Sequence, residues 1–137
     1  MNRFILIFLA FVAFQAMAEE EHVDCQNAVS TPDINYCASI KLNSAKKELN
    51  QYYQASLKHN EYDPELIASI KVAQKAWQAY LVSHCDSVYT QWRDGTIRGV
   101  MSISCKTRLT KQRTHELWDN FLTYMDSTPP VLPEPKL

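Results

Sequence analysis

Residues 64–88, PELIASIKVAQKAWQAYLVSHCDSV, read as one long amphipathic helix. Ile67, Ile70, Gln74, Trp77, Leu81, His84/Cys85 and Val88 recur at three- and four-residue steps, the spacing of a single helical face. Asp63 is a good N-cap, Pro64 suits the first helical position, and Glu65 favours the positive end of the helix dipole. The chain on either side can fold back along this helix.

Upstream, Thr31 or Ser30 caps a helix with Pro32 at its first position, running to about His59. Its inward stripe is Ile34, Ala38, Leu42, Ala45, Leu49, Tyr52/Tyr53 and Leu57. The short connection His59–Tyr62 makes the two helices antiparallel neighbours. Downstream, Asp94-Gly95 is the strongest turn signal, because glycine readily takes positive φ. A third helix starts near Thr96, or nearer Val100 because Gly99 weakens the first turn, and ends near Tyr124. Leu109, Gln112/Arg113, Leu117, Phe121 and Tyr124 form its stripe. The last eleven residues, STPPVLPEPKL, carry four prolines and cannot be helical. They read as a disordered Pro-rich end over 127–137, with a polyproline ligand as the alternative.

The first eighteen residues read as a cleaved signal peptide. Arg3 supplies the positive start, Phe4–Phe14 the apolar run, and Ala16-Met17-Ala18 the cleavage site. The apolar run is too short to span a bilayer about 30 Å thick. Cleavage takes Arg3 away, so the formal net charge of −1 becomes −2. Without a basic run, nucleic acid is not an expected partner, and no membrane contact is expected after cleavage. The expected organisation is a signal peptide over 1–18, a helical domain over 19–126 and the tail. The expected compartment is periplasmic or secreted.

Four cysteines, Cys25, Cys37, Cys85 and Cys105, in a small exported chain imply two disulfides. No C-x-x-C or H-x-x-x-H spacing supports zinc with His84 or His22, so no metal and no cofactor are expected. Facing residues of an antiparallel hairpin are equidistant from its turn. Cys37 and Cys85 have their midpoint at position 61, inside the first turn, and Cys85 and Cys105 have theirs at Gly95. Cys37, Cys85 and Cys105 therefore fall at one end of the three arms, and Cys25 can reach that end. Three pairings are open: Cys25–Cys37 with Cys85–Cys105 closes the shorter loops, while Cys37–Cys85 with Cys25–Cys105 suits the register nearly as well. The fold class is all-α, a small antiparallel bundle of three long helices stapled by two disulfides.

Little in the chain can carry catalysis. His84-Cys85-Asp86 are consecutive in a helix, so their side chains diverge by about 100° and make no triad. The carboxylates of Glu48, Glu61, Glu65, Asp86, Asp94, Glu116 and Asp119 are scattered rather than paired as a glycosidase needs. With two glycines there is no phosphate loop. The chain reads as a non-enzyme with no catalytic residue. Gln74 on an inward stripe needs a polar partner, which Gln112 or Arg113 can supply. Trp92, Arg93, Asp94 and Arg98 cluster at the second turn, the residue types of a protein-binding hot spot. The tyrosines Tyr52, Tyr53, Tyr62, Tyr80 and Tyr89 read as half-buried rim residues.

Several of these residues form a recognisable set. Asp24-Cys25, Asn27-Ala28 and Ser30-Thr31-Pro32-Asp33-Ile34-Asn35-Tyr36-Cys37 are followed by Ala45, Leu49-Asn50 and Tyr53. Then come Ala73-Gln74-Lys75-Ala76-Trp77, Tyr80 and Cys85, and last Cys105, Leu109-Thr110, Gln112-Arg113-Thr114 and Glu116-Leu117. With this set the chain resembles the exported LprI family, named for a bacterial lysozyme inhibitor, over nearly its whole mature length. Gln74, Trp77, Gln112 and Arg113 are its structural signature here. The resemblance implies a protein partner of the lysozyme-type muramidase class, and inhibition by occlusion of the active-site cleft. The alternative is a non-inhibitory envelope adaptor, immunity or stress protein. This chain departs from the family's pattern in having Leu81-Val82 where an Arg-Asp pair is usual, and Asp94-Gly95 in place of a Gly-Gly turn.

Overall fold

The computed structural model describes residues 23–137, so the signal peptide expected over 1–18 lies outside the described residues. Three helices follow one another: α1 (Thr31–His59), α2 (Pro64–Gln91) and α3 (Arg98–Phe121). No strand occurs among the described residues. Ser30, not Thr31, caps α1: its Oγ accepts the Asp33 N–H at 3.2 Å and donates to the Asp33 carboxylate at 2.6 Å. Asp63 caps α2 by accepting the Glu65 and Leu66 N–H groups at 3.1 and 3.0 Å. These caps satisfy backbone donors that a helix start leaves unpaired.

The central element is α3 rather than α2. α3 packs against both other helices, whereas α1 and α2 barely touch beyond the turn that joins them. That turn makes them consecutive without making them close-packed neighbours. They diverge around a cleft of about 310 Å³, with Leu49 and Tyr53 on one wall, Trp77 and Leu81 on the other, and Thr110 of α3 below. A helix flanked on two sides must bury more than one stripe. α3 accordingly buries Ser102, Thr110 and Thr114 as well as Cys105, Leu109 and Leu117. Small side chains let two helices approach closely. Their hydroxyls stay satisfied: Ser102 donates to Cys85 O at 3.1 Å, Thr110 to Lys106 O at 2.7 Å and Thr114 to Thr110 O at 3.0 Å.

Two disulfides close the bundle, Cys25–Cys37 and Cys85–Cys105, so every thiol is oxidised. The first ties the leading segment to α1; the second ties α2 to α3. All four positions lie where α1 and α3 begin and α2 ends, the arrangement the register arithmetic requires. At that end Gly99 faces Asn35: a Cβ on Gly99 would sit 2.9–3.2 Å from the Asn35 amide. The opposite end holds the main core of Leu49, Tyr52, Ile70, Leu117 and Leu122. Asn60 joins α1 to the end of α3 there by donating to Phe121 O at 3.3 Å.

The Pro-rich tail is not a free end. It turns back beyond α3 and lies in the groove between α1 and α3. Val131 N–H donates to Leu122 O at 2.8 Å. The Trp118 indole donates to Leu132 O at 2.9 Å, and the Tyr52 hydroxyl donates to Pro133 O at 2.7 Å. His115 Nε2 and Glu134 Oε1 are 3.2 Å apart, and Pro135 is buried. Composition forbids a helix here but not an irregular segment with groove-facing carbonyls. Proline lacks an N–H yet keeps its acceptor.

Candidate functional site

The second turn presents the cluster singled out in the sequence. It is closed by Gly95 N–H donating to Trp92 O at 2.9 Å and Arg93 N–H to Thr90 O at 3.2 Å. Gly95 does not use positive φ, and a Cβ there would make only ordinary contacts, the nearest being Trp92 O at 3.6 Å. The turn signal at Asp94-Gly95 located the bend, although glycine's special conformation is not what forms it.

Trp92 and Ile97 are 41% and 42% exposed and Tyr89 is 40% exposed, an apolar patch at the stapled end of the bundle. The Arg98 guanidinium lies 5.2 Å from the Tyr89 ring centroid and donates to Arg93 O at 3.4 Å. This cation–π contact holds Arg98 against the turn while leaving it open to solvent. Among the described residues neither Arg93 nor Arg98 pairs with a carboxylate. The structure thus puts Trp92, Arg93, Asp94 and Arg98 on one exposed turn. Tyr89 and Ile97 join them, and the sequence reading missed both. Their signal was faint: two apolar residues near a turn.

The second group, Gln74, Trp77, Gln112 and Arg113, divides. Gln74 is buried, and its Oε1 accepts from Arg113 Nε at 3.1 Å. Arg113 also reaches Glu116 at 3.0 Å. One guanidinium therefore satisfies a buried amide on α2 and stays neutralised at the surface. Gln112 points away, exposed, its Oε1 3.4 Å from an Arg108 nitrogen. Trp77 is half-buried on the cleft wall and packs on the main core. Leu81, where the family's arginine would stand, packs on the Cys85–Cys105–Leu109 cluster, and Val82 is exposed. Tyr52 is a core residue rather than a rim residue. Burial, and next the negative charge of Glu48, raise its pKa.

The His84-Cys85-Asp86 run does no joint chemistry. Cys85 is in a disulfide, His84 stacks on Tyr80 with centroids 5.2 Å apart, and Asp86 pairs with Lys106 at 3.7 Å. With all four thiols oxidised, none is available as a zinc thiolate. No helix among the described residues is long and apolar enough to cross a membrane.

A protein described only as uncharacterized, from Rhizobium meliloti (strain 1021), is 31% identical over 113 residues, covering 74% of this chain and 81% of that protein. No solved structure matches the chain. A family model described as "Lysozyme inhibitor LprI" matches residues 24–117, a span that holds both disulfides, the buried Gln74–Arg113 bond and the exposed second turn. The chain belongs to the LprI family.

Proposed function

We propose that this protein works in the periplasm or outside the cell and inhibits a lysozyme-type muramidase by inserting its second turn into the active-site cleft. The observation that carries the reading is the turn itself, in a family described as lysozyme inhibitors. Trp92, Tyr89 and Ile97 expose apolar surface beside two guanidiniums that pair with no carboxylate among the described residues. Muramidases work with paired carboxylates at the floor of a cleft. A guanidinium can grip a carboxylate through two parallel hydrogen bonds, and an aromatic anchor next to it excludes water. The Cys85–Cys105 staple and the Arg98–Tyr89 contact hold the turn in shape before binding, which lowers the ordering cost of association. The small net charge, −1 for the full sequence and −2 once Arg3 is cleaved away, means that long-range steering contributes little.

The test is lysis of a cell-wall suspension by a purified lysozyme, with the protein titrated in. Stoichiometric slowing is expected, and Trp92→Ala is expected to weaken it at least about tenfold, as loss of a hot-spot anchor does. Arg93→Ala with Arg98→Ala is expected to weaken it similarly. Full-speed lysis at concentrations on the order of tens of micromolar removes this role. The second reading, an envelope adaptor with another partner, is favoured by the separate peptide-bearing groove between α1 and α3.

A further inference from the structure

The groove between α1 and α3 recognises its occupant in a particular way. Two aromatic donors, Trp118 Nε1–H and Tyr52 O–H, bond the consecutive carbonyls of Leu132 and Pro133. Leu132 packs on the main core and Pro135 is buried. Aromatic side chains lining a groove are how Pro-rich ligands are bound elsewhere, because prolines restrict the free segment before it docks. The same groove widens into a trough of about 780 Å³ lined by Ile34, Ala38, Val100 and Leu137. Lys41, Arg108 and Lys111 line that trough, against one acid, Glu48.

We propose that the α1/α3 groove is a binding site for a proline-containing segment of another protein, and that residues 127–137 fill it in cis. The partner segment runs in the tail's direction and carries acidic residues where Lys41, Arg108 and Lys111 line the trough. This site is separate from the second turn and does not depend on lysozyme inhibition. The tail acts as a competitor at an effective concentration on the order of millimolar, so a tail whose own affinity is about 100 µM weakens any competing segment by roughly tenfold.

The test uses the full chain and labelled peptides, read by fluorescence anisotropy. The probes are STPPVLPEPKL itself and the same peptide lengthened at its C-terminus by two glutamates or by two serines. A full-length variant with Leu132→Asp and Pro135→Asp loosens the tail and leaves the groove intact. The tail peptide is expected to bind this variant about tenfold more tightly than the unmodified chain. Adding Trp118→Phe is expected to cost about fivefold, the loss of one hydrogen bond. The glutamate-lengthened peptide is expected to bind more tightly than the serine one, and Arg108→Ala with Lys111→Ala is expected to erase the difference.

No binding to the loosened variant at about 1 mM, or equal binding with and without Trp118→Phe, overturns the proposal. Equal binding of the two lengthened peptides overturns the acidic continuation. Amide exchange at Val131 in the unmodified chain tests the same idea without any variant. Saturating peptide displaces the tail, frees the Val131 N–H from Leu122 O and speeds its exchange; unchanged exchange overturns the proposal. A dimer of the unmodified chain that dissolves on adding peptide assigns the groove to a second copy's tail and overturns the heterologous partner.

Discussion

At the scale of single residues, one bond and two glycines show how position decides meaning. Arg113→Ala removes the donor to Gln74 Oε1 and leaves a buried acceptor unpaired, a loss of about 1–3 kcal/mol. Gln74→Leu in that background is expected to return part of it, seen as non-additivity in a double-mutant cycle of denaturant melts. Glu116→Ala is expected to change stability by less than about 0.5 kcal/mol, because the Glu116 side chain is 55% exposed. Gly95 and Gly99 respond differently to alanine. Gly95→Ala meets no close contact and needs no positive φ, so it is expected to be neutral or to stabilise by about 0.4–1 kcal/mol. Gly99→Ala gains helix propensity of about 1 kcal/mol but drives a Cβ into the Asn35 amide. Its effect is therefore expected to be more favourable in an Asn35→Ala background by at least about 0.5 kcal/mol. Additive melts would refute the close approach.

At the scale of elements, α3 and the tail behave as one unit. α3 meets α1 and α2 on different sides, and the tail then covers the outer α1/α3 groove through Trp118 and Tyr52. The raised pKa of Tyr52, which donates to the tail, gives its buried phenol a pH signature. The phenol is held neutral by burial and by Glu48, so an unfolded tyrosine, at about 10, ionises before the folded one. Stability from the neutral phenol is present below about pH 10 and is lost as pH rises through the folded value. Denaturant melts at about pH 8 and about pH 10.5 are expected to show a larger loss for the unmodified chain than for Tyr52→Phe. Equal losses would mean that burial and Glu48 do not hold the phenol neutral in the folded chain.

At the scale of the whole molecule, the two disulfides divide the labour. Cys85 is fully buried beside Leu109, whereas Cys25 is exposed on the leading segment. Mild reduction under native conditions is expected to open Cys25–Cys37 first, read by differential alkylation and peptide mapping. Replacing Cys85 and Cys105 with alanine is expected to cost about 2–4 kcal/mol for the cross-link, plus more for the buried volume lost. Replacing Cys25 and Cys37 is expected to cost less than that pair, because Cys25 leaves no core cavity. Opening of both bonds together would contradict the difference in burial.

Three helices and the shared end of the cysteines were legible in the sequence. Caps, three-residue steps and turn midpoints are local or register properties of a chain that must bury its apolar stripes. Even the need of Gln74 for a partner could be read, because a buried amide has to be satisfied somewhere. Tertiary structure alone decided that α3 is the central helix, that α1 and α2 part around a cleft, and that the tail is docked. The buried faces of α3 use Ser102, Thr110 and Thr114, which hydropathy scores as surface: the two threonines satisfy their hydroxyls within α3, and Ser102 finds Cys85 O only once the helices pack. The tail's prolines rule out a helix locally, but whether their carbonyls meet water or Trp118 and Tyr52 depends on a groove built by residues far away in the chain.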